Sequence, residues 1–275
     1  MKVNMKKVPV YIVLGFFSAI QIFPLLWLVN YSFKNNTEIF TKSPLAFAEH
    51  FNAGNYITAW VKGSVGKYFM NSLFVSFFSV LITLLLGCMI GYGITRMFWK
   101  MKNAVLAFIM LGMMIPIHAT LIPLFILMQN MGMLNSRWAI IIPYIAAGMP
   151  LAVFTISNFM RSIPRELEEA AFIDGCGVFR SFAQIIMPSL KPIMATVSIF
   201  CFMNNWNEFI MASTYLQSSE LYTLPIGLRA FKGQYTAELG PMAACIVIAS
   251  IPLLIFYCFF SEQVEKSFAA GSGLK

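Results

Sequence analysis

The stretch ELEEAAFIDGCGVFRSFAQIIMPSLKP, Glu166 to Pro192, holds four of the chain's 11 acidic residues within nine positions: Glu166, Glu168, Glu169 and Asp174. Long apolar runs lie on both sides of it. A carboxylate at the centre of a membrane helix costs about 2.5–3.5 kcal/mol. An acidic cluster between apolar runs therefore marks a segment outside the hydrocarbon, and the runs beside it become candidates for crossing it.

The composition supports that reading. The 275 residues are 59% hydrophobic and 11% charged, whereas a soluble domain carries about 25% charged residues. The chain is expected to be an all-α, polytopic membrane protein. A span needs roughly 20 mostly apolar residues, and six segments qualify, near 8–30, 68–95, 103–129, 137–160, 192–215 and 242–261. Lys2, Lys6 and Lys7 precede the first, but its apolar run is too long for a signal peptide and no small-residue cleavage site follows, so it reads as a retained helix.

Lys and Arg set the orientation. With the N-terminus inside, inner segments hold 12 of the 19 basic residues, including Arg96, Lys100, Lys102, Arg161, Arg165, Arg180 and Lys191. Every inner loop agrees, so both termini and the 161–191 loop are expected on the cytoplasmic side. The net charge of +8 follows from this bias; the basic residues form no run or stripe that would suit nucleic acid. Pro24, Pro116, Pro123, Pro143, Pro150 and Pro252 fall inside spans, where each can bend its helix. Gly87 and Gly91 form a G-x-x-x-G, which lets another helix approach closely.

Chemistry within the chain finds little support. GSVGKY, Gly63 to Tyr68, lacks the first glycine of a phosphate-binding loop and has Tyr where Ser or Thr would meet magnesium. The five cysteines, Cys88, Cys176, Cys201, Cys245 and Cys258, form no C-x-x-C pair, and only two histidines are present, so no metal centre is expected. The acidic cluster lies on a loop, with no second acid converging on a pocket. The chain reads as a non-enzyme with no cofactor of its own.

The island reads as a helix–turn–helix. Ser162 and Pro164 suit helix entry, and Glu166, Glu168 and Glu169 occupy the positive end of the dipole. Asp174-Gly175 suits helix exit, with Gly175 free to turn left-handed. A second helix follows, with Val178, Phe182 and Ile185 on one face, closed by Pro188 and Pro192. On the first helix Leu167, Ala170 and Ala171 form a small apolar face ringed by acids. Interfacial helices usually carry Lys and Arg, and anionic lipid repels acids; a protein partner fits this face better than a lipid surface does.

Glu169-Ala170-Ala171, three residues, Gly175, nine residues and Ile185-Ile186-Met187-Pro188 resemble the EAA loop of bacterial ABC-importer permeases, E-A-A-x3-G-x9-I-x-L-P. The departure is Met187 for Leu, a volume-conserving change. SIPRELEEAAFIDG, WNEF at Trp206–Phe209, NSLFVS at Asn71–Ser76, and the tail SFAAGSGLK are similar to carbohydrate-uptake permeases of the maltose-transporter type. The likeness covers nearly the whole chain. The outer loop with SPLAF and NYITAW matches the smaller of the two permease types. The resemblance implies a single transmembrane domain over 1–275 in the bacterial inner membrane, beside a second, non-identical permease. It also implies two ATPase subunits that carry ATP and Mg, and an extracytoplasmic sugar-binding protein. Glu169 would pair with a basic group on an ATPase, with Leu167, Ala170, Ala171, Asp174, Gly175 and Pro188 shaping the fit. Gly271, Gly273 and Lys275 would belong to a tail reaching between the ATPases, or to a disordered end.

The fifth span carries a polar cluster: Asn204, Asn205, Trp206, Asn207 and Glu208. On a continuous helix Glu208 lies about 26 Å beyond Lys191, toward the outer side, and shares a face with Asn204. Two readings stand: a water- or sugar-lined face of the pathway, or hydrogen-bonding glue between helices. His118, beside Pro116, reads as a packing residue, while Tyr92, Tyr144 and Met149 could face the pore. The leading function is a pore-forming permease of an ATP-driven sugar importer. The alternatives are an ABC permease for another solute and a self-contained ion-coupled transporter. The latter would need more ionisable groups within the spans than Glu208 and His118.

Overall fold

The structure, a computed structural model, describes residues 8–231 and 238–272. Among them every regular element is helical. The main helices are α1 (Val8–Ser32), α2 (Val65–Thr95), α3 (Lys102–Leu111), α4 (Leu121–Asn130), α5 (Trp138–Arg161), α6 (Glu166–Ile173), α7 (Val178–Ser181), α8 (Lys191–Asn207), α9 (Ile210–Tyr215) and α10 (Leu239–Ser272). Among the described residues four helices are long and apolar enough to cross a membrane: α1, α2, α5 and α10. Two bent pairs bring the number to six if each counts as one span: Lys102–Met114 with Ile117–Asn130, bent by 93°, and Val178–Ser189 with Lys191–Asn207, bent by 72°.

The third expected span, 103–129, is therefore broken rather than continuous. Its break falls at Ile115 and Pro116, which are both extended. A residue before proline is driven out of the α region, and the proline donates no N–H to the preceding turn. The fifth expected span, 192–215, is also corrected: α8 ends at Asn207, Glu208 is extended (ψ 126°), and α9 starts afresh at Ile210.

Contacts within the described chain cluster into two compact units. One holds the stretch up to Gly66 with Gly227–Ile251; the other holds Lys67–Ile226 with the stretch from Pro252 onward. In the first unit α1 is apolar and exposed on every side, from Val10 to Leu26, as a helix meant for lipid or another helix would be. Its C-terminal end turns into a polar knot. The Asn55 amide donates to the carbonyls of Ser32 at 2.8 Å and Lys34 at 2.9 Å, and Ser32 shares a 2.7 Å hydrogen bond with the Tyr56 hydroxyl. Lys42 and Glu49 pair on the surface, and the ammonium holds the Glu49 carboxyl below the usual carboxylate range.

The second unit is built around α5, which buries Ala139, Ile140, Ile141, Tyr144, Ala152, Val153, Ile156 and Met160. Helices α3, α8 and α9 pack on it. The G-x-x-x-G of α2 meets it too: a Cβ on Gly87 would lie 3.1 Å from Ala152 Cβ, and one on Gly91 3.3 Å from Ile156 Cγ2. The expected close approach is there, and it is an approach to α5.

Candidate functional site

The 161–191 loop forms the expected helix–turn–helix, with its ends shifted. Ser162 does not cap α6. It closes α5, its hydroxyl donating 2.7 Å back to the Phe159 carbonyl, and Arg165 stands at the N-cap of α6. The exit of α6 is as its residues predict. Gly175 has φ +80°; its N–H donates 3.1 Å to the Phe172 carbonyl, and that of Cys176 donates 2.9 Å to the Ala171 carbonyl. This paired bonding is the Schellman motif, which needs a left-handed residue at Gly175.

The second arm differs from its expected face. After α7 the backbone widens into a π turn over Phe182–Ile186, then continues through Met187–Ser189. Pro188 offers no N–H to the Gln184 carbonyl, and its ring crowds that oxygen, so the turn opens. The extra residue moves the buried stripe to Ser181, Ile186 and Leu190, while Val178 is exposed and Phe182 and Ile185 are half-buried. Pro188 thus widens this arm; the chain bends only beyond it, before Lys191.

On α6 the two faces are distinct. Glu166, Leu167, Glu169, Ala170, Ile173 and Asp174 are exposed; Glu168 and Ala171 are buried. The expected apolar face is split, because Ala171 turns inward and Ile173, 86% exposed, takes its place outside. Reading the sequence alone missed what holds the inner face. Arg96 Nε lies 2.9 Å from Glu168 Oε2, both side chains being under 8% exposed. That N–H does not point along the contact, so the attraction there is ionic rather than a hydrogen bond. Arg96 Nη2 donates to the carbonyls of Met160 at 2.9 Å and Ile163 at 2.7 Å. The motif match singles out Glu169, but nothing in the sequence gives Glu168 its inward partner; only the register of a folded helix does.

The polar cluster on α8 divides in the same way. Asn204, Asn205, Asn207 and Glu208 line a cavity of about 610 Å³ with His118, Tyr144 and Gly148. Trp206 does not: it is 2% exposed, stacked on Phe202 at 5.3 Å and edge-on to Phe69 at 5.5 Å. Glu208 sits at the break between α8 and α9. One carboxylate oxygen accepts 2.7 Å from the Met211 N–H; the other accepts 3.0 Å from the Ala212 N–H and 2.6 Å from the Tyr144 hydroxyl. The helix break supplies the free N–H groups that make a carboxylate tolerable at this depth. Tyr144, one of the residues that could face the pore, lines this cavity, and so does His118, which the sequence suggested as a packing residue; Met149 is not among its walls. Of the tail residues, Gly271 lies in the last turn of α10, while Gly273 and Lys275 lie outside the described residues.

A broken helix pair packed on a long central helix, with an acidic helical loop between apolar spans, is the architecture of a multi-pass membrane protein. The chain belongs to the family described as binding-protein-dependent transport system inner membrane component, matched over residues 83–268. It is 34% identical over 257 residues, 93% of this chain and 85% of the relative, to the diacetylchitobiose uptake system permease protein NgcG of Streptomyces coelicolor. It is 32% identical over 270 residues, 95% and 93% of the two chains, to the galactooligosaccharides transport system permease protein GanQ of Bacillus subtilis. Its fold matches a chain in the crystal structure of a bacterial ABC transporter that imports the acidic polysaccharide alginate. That match has a TM-score of 0.82 at 20% identity, over 95% of this chain and 97% of that one. The chain is thus an ABC permease subunit, a transport component rather than an enzyme.

Proposed function

We propose that this chain is one of two non-identical permeases forming the pore of an ATP-driven importer of oligosaccharides. An extracytoplasmic binding protein delivers the solute, and two ATPase subunits carry ATP and Mg. The loop with α6 and both termini face the cytoplasm. The exposed edge of α6, Glu169 and Ala170 with Leu167 and Ile173, enters a groove on an ATPase, and Glu169 pairs with a basic group there. ATP closes the ATPase pair, α6 moves with it, and the packed helices rock between inward- and outward-facing arrangements. The cavity beside α8 receives hydroxyl groups through Asn204, Asn205 and Asn207. Gly271, Gly273 and Lys275 belong to a tail reaching toward the ATPases.

The observation that carries this reading is the two-faced α6: an acidic, partly apolar edge left uncovered on a helix whose other edge is pinned by a buried ion pair. The oligosaccharide class is supported by the names of relatives such as NgcG and GanQ. An ion-coupled mechanism is disfavoured, because the carboxylate in the cavity is already engaged by two N–H groups and a hydroxyl. The test is purification of the complex with its neighbours, followed by uptake of labelled mono- and oligosaccharides into vesicles. ATP-dependent oligosaccharide uptake is expected; uptake of an unrelated solute alone would refute the substrate class.

A further inference from the structure

Helix α6 is joined covalently to α5 on one side and, through the second arm, to α8 on the other. It has no covalent neighbour in α2, whose end lies about 70 residues earlier (Arg165 and Thr95 are 70 positions apart). Yet two arginines connect them reciprocally. Arg96, just beyond α2, reaches Glu168 on α6 and the Met160 and Ile163 carbonyls around the end of α5. Arg165, at the N-cap of α6, reaches back 3.2 Å to the Thr95 carbonyl at the end of α2 and lies over the Phe98 ring at 5.6 Å. The Tyr92 ring of α2 also packs on Phe182 of the second arm, with ring centroids 5.0 Å apart.

A buried ion pair adds little net stability over an apolar packing, but removing one partner strands a charge and is strongly unfavourable. Such a pair defines one geometry and resists sliding. A positive charge at the C-terminal ends of two helices is favoured by both dipoles as well. Glu168 points away from the exposed edge of α6, so the pair stays free to work while that edge is covered by a partner.

Resting on the function proposed above, we propose that Arg96, Glu168 and Arg165 form a latch that makes the inner end of α2 and the coupling helix α6 move as one body. The stroke delivered to α6 then reaches α2 directly as well as α5. Glu168 and Arg96 are positioning residues: they touch neither solute nor nucleotide and act by fixing α6 on α2.

The test uses the whole complex with its ATPases in vesicles, with Cys176→Ser and Cys258→Ser removing the accessible thiols. Spin labels are attached at Lys100→Cys and Glu166→Cys, both exposed positions outside the edge of α6 that meets the ATPase. With the latch intact, the label distance should be the same without nucleotide and with ATP plus vanadate. With Glu168→Gln the distance should shift or broaden on trapping, and ATP consumed per solute moved should rise several-fold, with the ATPases still co-purifying. Glu168→Asp should recover part of the coupling. A distance that changes on trapping with the latch intact overturns the proposal. So does Glu168→Gln leaving both distance and ATP-per-solute ratio unaltered. If Glu168→Gln does not assemble, the measurement on the intact latch decides alone. The functional reading fails separately: the unaltered chain would then purify without ATPases or transport without ATP, and the latch would fall with it.

Discussion

Glu208 shows how one side chain changes meaning once its backbone is known. On a continuous helix it would be a bare carboxylate facing the pathway; at the helix break it holds the start of α9 and the Tyr144 hydroxyl. Hydrogen bonds to a charged group are worth about 1.5–3 kcal/mol each, and the three here are not additive. Glu208→Ala should therefore destabilise the purified protein by about 3 kcal/mol, read as a lower Tm in detergent. Asn205→Ala, beside it in the same cavity, should leave stability within about 0.5 kcal/mol of the parent, with Tm little changed, and raise the KM for solute. Glu169 calls for the opposite experiment. It is exposed and has no ion-pair or hydrogen-bond partner among the described residues that would be stranded, so Glu169→Lys should leave folding intact. ATPase co-purification should fall, since reversing one side of an interfacial pair costs about 2–5 kcal/mol. The acidic cluster and the helical loop that carries it between apolar stretches were legible from residue types alone. The burial of Glu168 against Arg96 was not, because neighbours in sequence are separated only by the roughly 100° turn of a helix whose orientation tertiary packing decides.

At the level of elements, glycine and proline carried the most legible information and also the largest departures. The left-handed exit at Gly175 and the close approach at Gly87 and Gly91 follow from a residue without a Cβ. Gly91→Leu should push α2 off α5, because its Cβ alone already lies 3.3 Å from Ile156 and Ser157. Overpacking of this kind costs about 1–3 kcal/mol and should lower the Tm of the isolated chain. Gly175→Val meets no steric obstacle, since nothing lies within 4 Å of its Cβ; its cost is the backbone at φ +80°, about 1–2 kcal/mol. It should fray the end of α6 and reduce solute-stimulated ATP hydrolysis more than it lowers Tm. The broken third span and the π turn were harder to foresee. Hydrophobicity marks a stretch as apolar enough to cross, but it does not say whether Pro116 bends a helix or ends it. The answer depends on whether neighbouring groups satisfy the freed carbonyls.

For the molecule as a whole, the deciding quantity is how much apolar surface the chain leaves uncovered outside any lipid. The flank of α1 can be left to acyl chains. Ile173 and Phe179 cannot be so readily explained: they are 86% and 80% exposed on a loop whose acids disfavour an anionic membrane surface. Each would contribute roughly 1.5–3 kcal/mol if fully buried, so this surface asks for a protein partner. Hydrogen exchange offers a direct reading. The amides of 166–181 should exchange quickly in the chain purified alone and slow by at least about tenfold, or about 1.4 kcal/mol of added protection, once the ATPases are bound. The amides of α5 should be little changed, since α5 is already packed within its unit. In vesicles that contain this chain alone, no solute should accumulate, with or without ATP outside. Accumulation without the ATPases would mean that the hairpin is not where force enters, and protection of 166–181 by lipid alone would assign that surface to the membrane instead.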